Sequence, residues 1–294
     1  MLRSPRDIQQ AIAEGRSHNQ RFFKAAAGGA DGQWWDWSFA SGQPAYDARV
    51  GNALEFTPCI AQANDAIWFP AIEAGMERQL AGITVKPQAS GQSQVAVSFE
   101  VYDLIGVYPL IDGDSTDIQE MDNSAPLPRY STGDGIIPVL VNHVAPQIQA
   151  ADGTMVYTTC AGVQSTVTIR AALTGLNRVV SAHPSAGAAG QLSLPRADGC
   201  GGVRSIDSLT WTAAPGGLYS LYLIRPLFSF THWSDPISAA SSTGNKMAIE
   251  KCNCTHNAWH LPRIYDGAHI GMFFMTSAGG RTMSLFGHMN FIWG

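Results

Sequence analysis

Val95-Ala96-Val97-Ser98-Phe99-Glu100-Val101 alternates bulky apolar side chains with small or charged ones. A period of two puts Val95, Val97, Phe99 and Val101 on one face and Ala96, Ser98 and Glu100 on the other, the pattern of a strand buried on one side. Working outward, Val163, Ser165, Val167 and Ile169 alternate in the same way with Gln164, Thr166, Thr168 and Arg170. Residues 136–144, 155–159, 206–212, 218–224 and 270–275 read as further strands. Asp152-Gly153, Pro215-Gly216-Gly217, Asp266-Gly267 and Gly279-Gly280 read as the turns that separate them. Strands do not alternate with helices after residue 30, so the expected fold is mainly β, an antiparallel sandwich or jelly-roll-like body.

The N-terminus reads differently. Ser4-Pro5-Arg6-Asp7 is a helix start, with a capping hydroxyl, Pro in the first turn and an acid three residues on. Ile8, Ala11 and Ile12 then share a face at helical spacing. The helix is expected to reach Gly15 or to continue to Lys24, with Phe22 and Phe23 as late apolar contacts and Gly28-Gly29 as its end. This divides the chain into an N-terminal helical arm, residues 1–30, and a β-rich body, residues 31–294, open to subdivision near 126–135.

Composition narrows the function classes. Of 294 residues, 45% are hydrophobic and only 14% charged, against about 25% charged in an ordinary soluble domain. Low surface charge suits a chain that packs against neighbours. The net charge of −5, with no run of Lys or Arg, argues against nucleic acid as a direct partner. No apolar stretch approaches the ~20 residues that span a bilayer, and the N-terminus lacks the apolar core of a signal peptide. Assembly in a cytoplasm is therefore the expectation.

Candidate chemistry is sparse. Asp112, Asp114, Asp117, Glu120, Asp122 and Asp134 crowd residues 110–135. Asp112, Asp114 and Asp117 begin like a calcium loop, but Thr116 and Asp117 stand where an acid or amide and then Gly belong. A solvated loop whose acids bond their own backbone is the favoured reading, with Ca²⁺ behind it. Cys252-Asn253-Cys254-Thr255-His256 offers Zn²⁺ ligands at tighter spacing than the usual pair. Five cysteines form no even framework, so inert free thiols are the favoured reading, and a disulfide from this cluster to Cys160, Cys200 or another subunit is a further alternative. No nucleophile elbow, metalloprotease or phosphate-loop motif occurs, so no catalytic residue, cofactor or enzymatic activity is expected. In Trp34-Trp35-Asp36-Trp37, Trp35 and Trp37 are expected to share a face with Trp34 opposite, in a core or a subunit interface. The expected interface set is Ile8, Ile12, Phe22, Phe23, Trp34, Trp35 and Trp37. Leu-Pro-Arg occurs at Leu127, Leu194 and Leu261, equally spaced and each followed closely by Asp-Gly. It reads as a recurrent strand-entry turn, or as the trace of a duplicated β-unit.

Gly106-Val107-Tyr108-Pro109-Leu110-Ile111-Asp112, Leu127-Pro128-Arg129-Tyr130-Ser131-Thr132-Gly133-Asp134-Gly135 and Leu261-Pro262-Arg263-Ile264-Tyr265-Asp266-Gly267-Ala268 resemble recurrent phrases in structural proteins of tailed bacteriophages. In those proteins a segment similar to residues 8–15 precedes a Trp/Tyr-Asp pair, here Trp35-Asp36. The resemblance covers residues 5–140 and 200–294 in pieces. It implies a virion component and transfers no catalytic residues, since virion membership defines that family. The absence of a long spine helix disfavours the usual major capsid fold and points to a capsid decoration, cement or vertex protein. Its partners would be copies of itself and major capsid or other virion proteins. A tail-tube or connector component, an unusual coat protein and a carbohydrate-binding receptor module remain the alternatives.

Overall fold

A computed structural model describes the chain except for residues 1, 3, 28–31, 46, 48, 50, 62–65, 91–95, 146–147, 172–191, 198, 234, 238–249, 252–260 and 278–282. One helix, α1 (Pro5–Ala13), opens the chain. The strands follow as β1 (Ser17–Ala27), β2 (Trp34–Asp36), β3 (Ser41–Gln43), β4 (Thr57–Pro58), β5 (Arg78–Ser90), β6 (Ala96–Asp112), β7 (Gln119–Glu120) and β8 (Ile137–Val144). The second half supplies β9 (Ala151–Thr159), β10 (Gln164–Ala171), β11 (Val203–Trp211), β12 (Leu218–Trp233), β13 (Asp235–Ile237), β14 (Glu250–Lys251), β15 (Arg263–Ile264), β16 (His269–Thr276) and β17 (Met283–Trp293). The fold is mainly β, with antiparallel sheets forming a sandwich or jelly-roll-like body.

Three sheets share the work. The first runs β13-β5-β17-β1-β3, with β14 and β15 also on β5; the second runs β2-β16-β6-β12-β8, with β4 on β6; the third runs β10-β9-β11-β7. The opening heptad decides how they pack. Val97, Phe99 and Val101 are all buried, while Ala96, Ser98 and Glu100 are only partly so; Val95 lies outside the described residues. Val97, Phe99 and Val101 face Leu80, Ile83 and Val85 of β5 and Leu285, Met289 and Phe291 of β17 in one core. From Tyr102 onward β6 enters a second core with Met155 and Tyr157 of β9, Ile206 and Leu209 of β11 and Leu221 to Leu223 of β12. The long β6–β12 ribbon thus belongs to both cores, and register shifts along β12 accommodate its passage from one to the other.

Two expectations are corrected. The helix does not continue to Lys24. It starts as read, with Ser4 Oγ accepting the Asp7 amide at 3.2 Å, but ends at Ala13, and Gly15 at φ 73 turns the chain. Residues Ser17–Ala27 form β1, paired antiparallel with β17 from Ser17↔Ile292 to Ala27↔Met283. The Phe22-Phe23 pair therefore obeys a period of two: Phe22 is 4% exposed and Phe23 37%. The helix itself packs back through Ala11 and Ile8 against Leu2, Leu261 and Ile292. Asp152-Gly153 is likewise no turn but the interior of β9, with Gly153 opposite both Ile169 and Trp211. A Cβ on Gly153 would sit 2.8 Å from the Trp211 ring, so the glycine makes room for an indole.

Candidate functional site: a groove between two Leu-Pro-Arg segments

Two of the three Leu-Pro-Arg phrases meet in space. Leu127-Pro128-Arg129-Tyr130 and Arg263-Ile264-Tyr265-Asp266, with Ile72, Met76, Glu77 and Arg78, line a groove of about 410 Å³. The third phrase lies elsewhere: Leu194 is buried in the β9–β11 core and its amide donates to Pro138 O at 2.9 Å.

Arg129 builds the floor. Its Nε and Nη2 donate to the two Asp103 carboxylate oxygens at 3.0 and 2.8 Å, Nη2 also to Leu104 O at 2.8 Å, and Nη1 to Gly267 O at 2.9 Å. Asp103 accepts the His269 amide as well, at 2.9 Å. Both side chains are almost wholly buried. Burial pushes the Asp103 carboxyl above its usual range, while Arg129 and the His269 amide pull it back. One bidentate guanidinium therefore ties the 127–130 segment to β6 and to the turn that enters β16.

The rim is a ladder of cations and rings. Arg225 lies 4.6 Å over the Tyr130 ring, Tyr130 meets Tyr265 edge-on at 4.8 Å, and Arg263 lies 4.5 Å over Tyr265. Arg225 also donates to Asp134 O. Arg263 pairs with Glu77 at 2.8 Å. Arg78 pairs with the exposed Asp266 at 3.0 Å, donates to Pro70 O at 2.5 Å and stacks on Phe69 at 4.2 Å. The ring faces are thus taken up within the chain, and the groove offers side-chain edges and paired charges. Such a surface suits contact with protein, where Tyr and Arg are favoured.

A second polar cluster lies beneath β2. Asp36 Oδ1 accepts from the Ser38 amide at 2.9 Å and from Tyr102 Oη at 3.2 Å. Arg49, at φ 51, brings Nε to 3.7 Å from Asp36 Oδ2 and Nη1 to 2.9 Å from His269 Nε2. Lys24, fully buried, donates to Ala40 O at 3.1 Å and Ala45 O at 3.3 Å. Burial drives its ammonium pKa down to about 8, with Arg49 acting the same way and Asp36 and Asp47 opposing. Cys59, nearby, has its thiol pushed up to about 12 by burial, which keeps it protonated.

The acidic stretch does not converge on anything. Asp112, Asp114, Asp117, Glu120, Asp122 and Asp134 are all exposed. Asp112 Oδ1 accepts the Asp114 amide and Asp122 Oδ1 the Ser124 amide, each at 2.8 Å. The Gln119 side chain pins the loop base through both backbone groups of Asp112, each at 2.8 Å. Among the described residues no group of three or more His, Cys, Asp or Glu is placed to hold a metal. Cys252, Cys254 and His256 lie outside the described residues.

The expected interface set splits. Phe22 and Trp37 are buried in the β5–β17 core, so they serve the fold rather than a surface. Trp35 packs on that same core and Trp34 on the other, which is the predicted opposition of faces. Ile8, Trp34 and Trp35 are half-buried, and Ile12 and Phe23 are exposed. Sequence reading missed Phe286, Asp103, Arg225 and the tyrosines. A lone Asp inside the apolar run Val101-Tyr102-Asp103-Leu104-Ile105 was the one available signal for Asp103, since a buried carboxylate requires a partner.

No family model and no curated protein matches the chain. Among solved structures it is similar to the infectious bursal disease virus VP2 subviral particle, at 10% identity over 94% of this chain and 80% of that one, with a TM-score of 0.20. The T=1 particles derived from the same virus give 9% identity over 94% and 77% of the two chains, again at 0.20. Similarity at that level does not establish a shared fold.

Proposed function

We propose that the chain is a non-enzymatic structural component of a virus particle, of the tailed-phage kind its phrases resemble. It acts by oligomerising on a protein shell as a decoration, cement or vertex subunit. Its partners are copies of itself and major capsid or other virion proteins, and it joins the virion in the host cytoplasm. The observation that carries this reading is a group of uncovered apolar side chains on the β1–β17 ribbon. Phe23 of β1 and Phe286 of β17 are register partners with rings 4.7 Å apart, each 37% exposed. Trp68 stands edge-on to His18 of β1 at 5.0 Å and is half exposed. Ile12 projects from α1, which rests on the end of β17. Phe23, Phe286 and Ile12 thus leave aromatic and aliphatic surface on the outer side of the β1–β17 ribbon and its helix, as at a contact site, while Trp68 stands on the face of β1 that carries Phe22. Arg21, on the same face of β1 as Phe23, and Lys86, the β5 partner of Phe286, border this patch; burying its rings beside their aliphatic stems is favourable, and repeated weak contacts on a lattice sum to avidity.

The test is the absolute mass of the purified chain by light scattering, with and without EDTA. A discrete trimer, pentamer or hexamer that ignores EDTA is expected. A monomer at every attainable concentration would sink the reading, and dissociation by EDTA would transfer the assembly role to a metal.

A further inference from the structure

We infer that Cys160 and Cys200 form a thiol-modification site, closing into an intrachain disulfide on reaction with a low-molecular-weight disulfide such as oxidised glutathione. Cys160 leaves the end of β9 and Cys200 precedes β11, which pair antiparallel with Val203 opposite Thr159. Both cysteines converge on one carbonyl. The Cys160 amide donates to Gly202 O at 2.9 Å, and Cys200 Sγ donates to the same oxygen at 2.9 Å. Two donors sharing one acceptor are close neighbours. From the other side, Cys160 Sγ lies against Gly201, where an added Cβ would come within 3.3 Å of it. The two thiols therefore flank the same pair of glycines, which carry no side chain, and the Asp134 carboxylate borders the space, 3.2 Å from where a Cβ on Gly201 would stand. Closure of the bond would require rotation about χ1 to bring the two sulfurs together across that space.

Both thiols are free and half-buried, and Cys200 also rests on the β9–β11 core, so the reaction begins at Cys160. The remaining described thiol, Cys59, is turned to Thr57 O and stays out of the reaction. In the first step the Cys160 thiolate attacks one sulfur of oxidised glutathione, forming a mixed disulfide and releasing one glutathione thiolate. The Cys200 thiolate then attacks the Cys160 sulfur, forming the intrachain bond and releasing the second thiolate. The two thiol protons pass to solvent, the protein loses two electrons and glutathione disulfide gains them. The bond would staple the β9–β10 turn to the entry of β11.

The experiment is intact mass and non-reducing peptide mapping of the full chain after incubation with oxidised glutathione, beside C160S and C200S. The expected result is loss of two hydrogen masses, a Cys160–Cys200 linked peptide, and a melting temperature several degrees higher. In C200S the reaction should stall as glutathionylated Cys160. If the folded wild type instead keeps glutathione separately on each cysteine, or links either of them to Cys252, Cys254 or a second chain, the inference is overturned. An unreactive pair in the folded wild type overturns it as well.

Discussion

Lys24 holds an ammonium group with no solvent contact, served by two carbonyls and lying over the Trp37 ring at 5.8 Å. Nearby Asp36 and Asp47 favour the charge, but burial and Arg49 disfavour it by more, and the pKa falls from 10.5 to about 8. The consequence for stability has a definite sign. Between those values the unfolded chain binds a proton that the folded chain has released, so stability rises as pH climbs through the window. Below about 8 the full cost of burying the ammonium persists. A depression of this size corresponds to roughly 3 kcal/mol at neutral pH. Lys24→Met keeps the aliphatic stem and removes the charge. Its advantage over the wild type in urea unfolding should be present at pH 7 and shrink by pH 10.5. An advantage independent of pH would show that packing, not charge, governs the site.

Elements differ in how much of them the sequence disclosed. The heptad ending at Val101 was legible because a period of two needs only neighbouring residues, and β10 was found by the same rule, whereas β8 and β16, buried on both sides, read as short apolar runs between turns. β1 was not, since Phe22-Phe23-Lys24-Ala25-Ala26-Ala27 tolerates a helix locally and is made a strand by β17 at the far end of the chain. Asp152-Gly153 looked like a turn for want of knowing that Trp211 would lie across it. The Leu-Pro-Arg phrases were visible, but that two of them converge and one does not depends on topology. The convergence rests on Arg129, whose removal leaves Asp103 buried and uncompensated. Arg129→Met should cost about 3–5 kcal/mol, and adding Asp103→Asn should restore a large part of it. Additive losses in the urea-unfolding midpoints of the two single variants and the double would refute the clasp.

At the scale of the molecule, the same residue type serves two ends on one ribbon. Phe22 and Trp37 pack edge-on at 5.2 Å inside the β5–β17 core, whereas Phe23, one residue on, meets Phe286 on the outer face. Alternation along β1 thus separates what holds the protein together from what it offers to others. Truncating a buried Trp opens a cavity, so Trp37→Ala should cost about 3–5 kcal/mol and lower the melting temperature sharply. The exposed pair carries less: its mutual contact contributes about 0.5–1.5 kcal/mol beyond the burial of two partly covered rings, so Phe23→Ser with Phe286→Ser should lower the melting temperature while leaving the chain folded. The assembly should respond the other way. If the β1–β17 face is the contact between copies, the double serine variant should run as a monomer in light scattering at concentrations where the wild type is a discrete oligomer. A variant that stays folded and keeps the wild-type mass would take the interface away from this face while leaving self-association intact.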